Sequence, residues 1–270
     1  MDLIALDPGV IVWLVVLEGL YLRALRILRG RGVEIPLGQK LCWHGAMALW
    51  AVGLMGPPGA LSGQLLSAHM GEHLLIADLA APLMLAGLRN PMLGFFLPRP
   101  LLVTLARSPR LRAAFRVLRK PLVAIPVYAL VLYGWHVSLF FEAAVRNDAV
   151  HVLQHAGFIG AGVLVWWSVL EPKRRRLTGD LWKIGHIISA RFLGMFLGMS
   201  FVLIRVPVYT GVYGSGERRG LEPLVDQQIA GAMMVVLDIF IMVFALAFLF
   251  WKAAQEEDRR QARQAKAVST

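Results

Sequence analysis

Seven long apolar stretches, each separated from the next by charge, proline or glycine, organise this chain. They cover about residues 8–28, 37–55, 61–88, 121–141, 149–170, 181–204 and 226–251. Each approaches the roughly 20 residues that a helix needs to cross a hydrocarbon core of about 30 Å. In lipid every backbone polar group must be paired within the segment, so such runs predict transmembrane helices. The expected fold class is therefore an all-α integral membrane protein: one polytopic domain over residues 1–251, then a polar tail, 252–270, read as a frayed continuation of the last span. Between the third and fourth stretches, RLRAAFRVLRK alternates arginine with Leu111, Phe115 and Leu118 at helical spacing, which predicts an interfacial helix touching membrane lipids, with a solvated basic loop as the alternative. The stretch from Arg205 to Val225 carries Pro207, Gly211, Gly214, Gly216, Gly220 and Pro223, a turn-rich loop long enough to cover an opening.

Composition agrees with that pattern, with 57% apolar residues and a mean hydropathy of +0.62. The net charge of +11 changes the picture only through its distribution. Of the 28 lysines and arginines, 23 follow spans one, three, five and seven, whereas Arg146, Arg205, Arg218 and Arg219 occupy the other side. By the positive-inside rule the N-terminus is outside and the C-terminus cytoplasmic, which requires an odd number of spans and supports seven. Loop charge of this kind accounts for the basic excess without a nucleic-acid partner. MDLIALDPGV has no basic n-region and carries Asp2 and Asp7, so the first span reads as retained and not as a cleaved signal. The single cysteine, Cys42, excludes an intramolecular disulfide and reads as a small buried apolar residue.

Chemistry concentrates in the histidines. In the predicted orientation His69, His73, His136, His151 and His155 share the outer part of the membrane, whereas His44 and His186 lie near the cytoplasm. His69 and His73, and likewise His151 and His155, are four apart and share a helix face. Two such pairs could bring four imidazoles to one point, the geometry of a metal or haem site. Structural histidines hydrogen-bonded between helices remain an alternative. HMGEH at 69–73 also has the spacing of an inverted zinc-hydrolase motif, but no further carboxylate at matching depth completes it. Catalysis is therefore not expected, and Glu72 reads as a partner that orients an imidazole or as an acidic ligand.

Glu18, Asp78, Arg191 and Asp238 fall within spans, where a lone charge is costly. Arg191, the only cation among them, is expected to pair with Asp78 or Asp238, as a structural ion pair in preference to a proton or ion relay. Met70, Met195 and Met199 are candidate soft ligands for Cu(I), whereas Met233 and Met234 read as packing. Asp226 is expected to cap the last span, with Gln227 and Gln228 facing the histidines.

Three segments, SAHMGEHLLIADLAAPLMLAG, YGWHVSLFFEAAVRNDAVHVLQHAGFIGAGVLVWWSVL and DQQIAGAMM, together resemble the CtaG-like family of cytochrome c oxidase assembly proteins, over roughly residues 60–250. That resemblance implies a bacterial inner-membrane protein serving the maturation of haem-copper, caa-type oxidases, with copper supply as the usual suggestion. It also implies roles for His69, His73, His136, His151, His155, Asp226, Gln227 and Gln228. Glu72 stands where glutamine is common in the family, and Asp78 where an apolar residue is usual. The expectation is an outward-facing site that takes Cu(I) from a periplasmic donor and passes it to an oxidase subunit. The alternatives are a haem-binding electron-transfer protein and a small-solute or ion channel.

Overall fold

The computed structural model describes residues 3–170, 181–214, 216 and 218–268. Part of the third basic segment, Lys173 to Arg176, lies outside the described residues. Those described are helical with no β-strand, apart from an isolated bridge between Arg218 and Leu221. In chain order the helices are α1 (Pro8–Arg29), α2 (Leu37–Met55), α3 (Pro57–Leu61), α4 (Leu66–His73), α5 (Ala80–Gly87), α6 (Leu93–Phe96), α7 (Arg99–Arg107), α8 (Pro109–Leu118), α9 (Pro121–His136), α10 (Ser138–Arg146), α11 (Asp148–Leu170), α12 (Leu181–Leu203), α13 (Thr210–Tyr213) and α14 (Pro223–Val268). A π-helical stretch, Leu74–Leu79, joins α4 to α5.

Among the described residues four stretches are long and apolar enough to cross a membrane: Leu66–Gly87, Asp148–Leu170, Trp182–Leu203 and Pro223–Gln255. A fifth counts if α9 and α10 are taken together. The fourth apolar stretch is not the continuous helix that its pattern predicts, because Val137 is extended and α9 and α10 meet at 67°. The first two stretches form α1 and α2 close to their expected bounds. No proline or glycine interrupts residues 252–268, so α14 continues to Val268 and is about 69 Å long at 1.5 Å per residue.

The α4–π–α5 unit is the centre of the bundle: 56% of its apolar window is buried, against 22% for α14. Trp50 of α2 donates its indole N–H to the Ile76 carbonyl in the π stretch, at 3.0 Å. On the opposite side Gly162 of α11 packs directly on the Ala77 carbonyl, where a Cβ would sit only 2.7 Å away. Helices α12 and α14 meet through Gly198 and Gly231, each facing the other's carbonyl, the close approach that small residues allow between membrane helices. Val12, Val15 and Val16 of α1 and Phe240 and Phe244 of α14 point outward. Charged residues such as Arg191 and Asp238 lie inside, the reverse of a water-soluble bundle.

Helix α8 carries the expected amphipathic pattern. Leu111, Phe115 and Leu118 are exposed on α8, and Phe115 meets Trp167 edge-on at 4.9 Å. Cys42 is half-buried, not fully enclosed, because it lies on the flank of α2 beside the buried Trp43. Glu18 accepts from the Trp43 indole at 2.8 Å and lies 3.4 Å from His44 Nδ1.

Candidate metal centre

Helix α4 carries His69, Glu72 and His73 on the three to four residue spacing that stacks side chains. Helix α11 carries His151 and His155 in the same way. Packed together, the two helices bring His69 and His151 rings to 4.8 Å and His73 and His155 to 5.3 Å between centroids, while His151 and His155 stack along α11 at 4.1 Å. Two three-residue sets, His69–His73–His151 and Glu72–His151–His155, each place one donor atom per residue within 4.8 Å of the others. His151 belongs to both.

Glu72 is the residue that decides the electrostatics. Its carboxylate is only 2% exposed, with Oε1 3.4 Å from His155 Nε2 and Oε2 3.7 Å from His151 Nε2. Oε2 has no hydrogen-bond partner, and neither ring nitrogen of His73 has one. A buried carboxylate requires a positive partner, and the surrounding neutral imidazoles offer lone pairs. A metal cation satisfies both demands, and imidazole with carboxylate suits Cu, Zn or Fe.

The loop between α12 and α14 folds over this cluster. The Tyr213 hydroxyl donates to the Ser62 carbonyl and lies 3.2 Å from His69 Nδ1. The other ring nitrogen, Nε2, lies 3.3 Å from Gln154 Oε1, which can only accept, so Nε2 carries the proton and Nδ1 presents the lone pair. Burial, followed by the charges of Asp226 and Glu72, raises the Tyr213 hydroxyl well above its ordinary pKa, so it stays a neutral group. Tyr209 stacks on Phe141 at 3.9 Å and donates to the His136 carbonyl at 2.9 Å. Tyr213 and Gln154 carry no sequence signal stronger than polarity beside a histidine.

A profile of the family described as cytochrome c oxidase caa3 assembly factor (Caa3_CtaG) matches residues 19–256. The chain belongs to this family. No curated protein and no solved structure is significantly similar to it. The assembly factor is thus a multi-helix membrane protein whose family links it to cytochrome c oxidase.

Several sequence expectations change place. His136 stands apart from the cluster: its Nδ1–H donates to the Leu132 carbonyl at 2.6 Å, and its ring packs among Phe141, Phe158 and Phe201. Asp226 is a cap, but of α4 and not of its own helix. Its carboxylate accepts from the Leu66 N–H at 2.6 Å, the Ser67 N–H at 3.1 Å and the Ser67 hydroxyl at 2.5 Å. Gln227 does not face the histidines. It accepts from the Val208 N–H at 2.7 Å and donates to the Phe201 and Val206 carbonyls, which pins the loop. Gln228 likewise donates to Val202, at 3.4 Å.

Met70 is buried beside the cluster, whereas Met199 is exposed on α12 and Met195 is half-buried one turn away, on a helix that contributes no histidine to the centre. Arg191 takes both predicted partners, with Nη1 2.6 Å from Asp78 and 2.7 Å from Asp238, and Tyr128 lies 3.4 Å from Nη2.

Proposed function

We propose that this cytochrome c oxidase assembly factor binds Cu(I) at the histidine–Glu72 cluster and delivers it to an oxidase subunit. In this reading the chain crosses the bacterial inner membrane seven times, with the N-terminus and the cluster facing the periplasm and the C-terminal helix in the cytoplasm. The outward apolar faces of α1 and α14 and the basic residues after alternate spans support that orientation. Copper arrives from a periplasmic donor as cargo. In this reading Glu72 serves as a ligand or charge partner between imidazoles and not as a catalytic base.

The observation that carries the proposal is the buried Glu72 carboxylate within ligand reach of His151 and His155, beside a second set of three imidazoles. Space weighs against haem. The cavity adjoining His73 has a volume of about 30 Å³, whereas pockets for cofactor-sized ligands are roughly 300–1,000 Å³. A channel reading would place Arg191 on a conducting path, yet that residue is held by two carboxylates.

The test is copper content and the absorption spectrum of protein purified in detergent under reducing conditions, before and after Cu(I) loading. The parent is expected to bind copper stoichiometrically and show no Soret band, and the His73→Ala/His155→Ala variant to lose the copper. Equal binding by parent and variant would sink the assignment, and a Soret band would transfer it to haem.

A further inference from the structure

Beneath the cluster lies a small cavity between α4, the π stretch, α9, α11 and α14. Its volume of about 30 Å³ is enough for one or two waters or a single ion. Among the side chains lining it are Met70, His73, Asp78, Tyr128, His136 and Met234. All but Asp78 are nine-tenths or more buried.

The donors here differ in kind from those above. The Leu132 carbonyl can only accept, so His136 carries its proton on Nδ1, and Nε2 is left as a lone pair that is buried and without a hydrogen-bond partner. A backbone carbonyl that fixes the tautomer in this way is the usual preparation of a metal-ligating imidazole. His73 lines the same cavity with both ring nitrogens free of hydrogen bonds, and it also belongs to the upper set with His69 and His151. Met70 and Met234 add two thioethers, at 1% and 4% exposure. Asp78 is engaged by Arg191 at 2.6 Å and supplies negative potential at the cavity wall without acting as a ligand. Among the described residues the ready-made triads of imidazole and carboxylate donors are the two upper sets, one of three imidazoles and one that includes Glu72, so sulfur distinguishes the lower site.

We propose that this cavity is a second, inner Cu(I) site, made by His73, His136, Met70 and Met234, and that His73 hands copper from the upper cluster down to it. The proposal rests on reading the upper cluster as a copper site. Thioether sulfur selects Cu(I) over harder cations, and Cu(I) accepts low coordination numbers that a pocket of this size can supply. The step is a ligand exchange without redox chemistry. A bond from copper to an upper imidazole breaks as a bond to thioether forms, and the charge of the ion is unchanged.

The experiment is anaerobic titration of the full-length protein in detergent with Cu(I), against a competing Cu(I) chelator, with copper K-edge absorption at one and two equivalents. The parent is expected to take two coppers, with sulfur scattering in the second. Met70→Leu/Met234→Leu, which nearly conserves volume, should take one copper with nitrogen and oxygen ligands only. Protein labelled with selenomethionine should show copper–selenium scattering, which reads the contact without any substitution in case the double variant fails to fold. Two coppers without sulfur or selenium scattering overturn the inner site. Sulfur scattering unchanged in the folded double variant overturns its assignment to these methionines. One copper with nitrogen and oxygen ligands in the parent removes the inner site and leaves the upper one standing. No copper at all removes both.

Discussion

Replacing Arg191 with methionine deletes the guanidinium that holds two carboxylates together in the interior. Arg191 is 1% exposed and Asp238 3%, with nitrogen–oxygen distances of 2.6 Å to Asp78 and 2.7 Å to Asp238. Each hydrogen bond to a charged group contributes about 1.5–3 kcal/mol, and breaking a buried ion pair by removing one partner costs about 3–5 kcal/mol. The two routes agree on a loss of about 3–5 kcal/mol, since Asp78 and Asp238 are left facing each other without their cation. At 2–4 °C per kcal/mol for a chain of this size, the melting temperature in detergent should fall by about 6–20 °C.

Geometry alone cannot separate a structural triad from a working one, but a neutral triad can. Arg191→Met/Asp78→Asn/Asp238→Asn removes all three charges together, and exchanging a whole buried ion cluster for neutral groups is often close to neutral in stability. The triple variant should therefore melt well above Arg191→Met and near the parent. If it melts no higher than the single variant, or if Arg191→Met melts within about 2 °C of the parent, the electrostatic account is wrong. A triple variant that is stable and still supports oxidase assembly in cells marks the triad as structural. One that is stable but inactive marks it as part of the working machinery.

Asp226→Ala leaves the Leu66 and Ser67 N–H groups buried without an acceptor, which should cost about 2–4 kcal/mol from loss of the cap and of hydrogen-bond partners. Thermal unfolding checks it, and an unchanged melting temperature would mean that α4 does not depend on this carboxylate. Tyr213→Phe removes the hydroxyl 3.2 Å from His69 Nδ1, and should weaken Cu(I) binding about 10–100-fold at the upper site while the rest of the loop stays packed. A chelator-competition affinity equal to the parent's would show that Tyr213 does not position the His69 ring.

The parts that sequence made legible are those governed by composition and helical period. Apolar runs of about 20 residues define α1, α2, α11 and α12 within a few residues, because charge and proline stop them at both ends. Four-residue spacing put His69 with His73 and His151 with His155 on two faces, and a shared depth was enough to bring those faces together. Partners far along the chain were not legible. Asp226 caps a helix that begins 160 positions earlier, and nothing near Leu66 or Ser67 announces its acceptor. His136 was expected to join them, but its ring turned to its own Leu132 carbonyl and left the cluster to the other four.

The relation between His73 and Asp78 depends on a backbone feature that no periodicity reveals. Five residues along an α-helix turn by about 500°, which would put Asp78 roughly 140° from His73, on the far side of the helix. The stretch Leu74–Leu79 is π-helical, however, and its i to i+5 hydrogen bonding brings a residue five further on back toward the face of the first. His73 and Asp78 consequently line one cavity, with the cluster imidazoles at one end and the Arg191 triad at the other. The widened turn also presents carbonyls sideways, to the Trp50 indole at Ile76 and to the Gly162 contact at Ala77, so neighbours on α2 and α11 hold it in place. An α-helical register here would turn Asp78 away from the cavity, and with it, among the described residues, the one carboxylate through which the buried triad touches the space beneath His73.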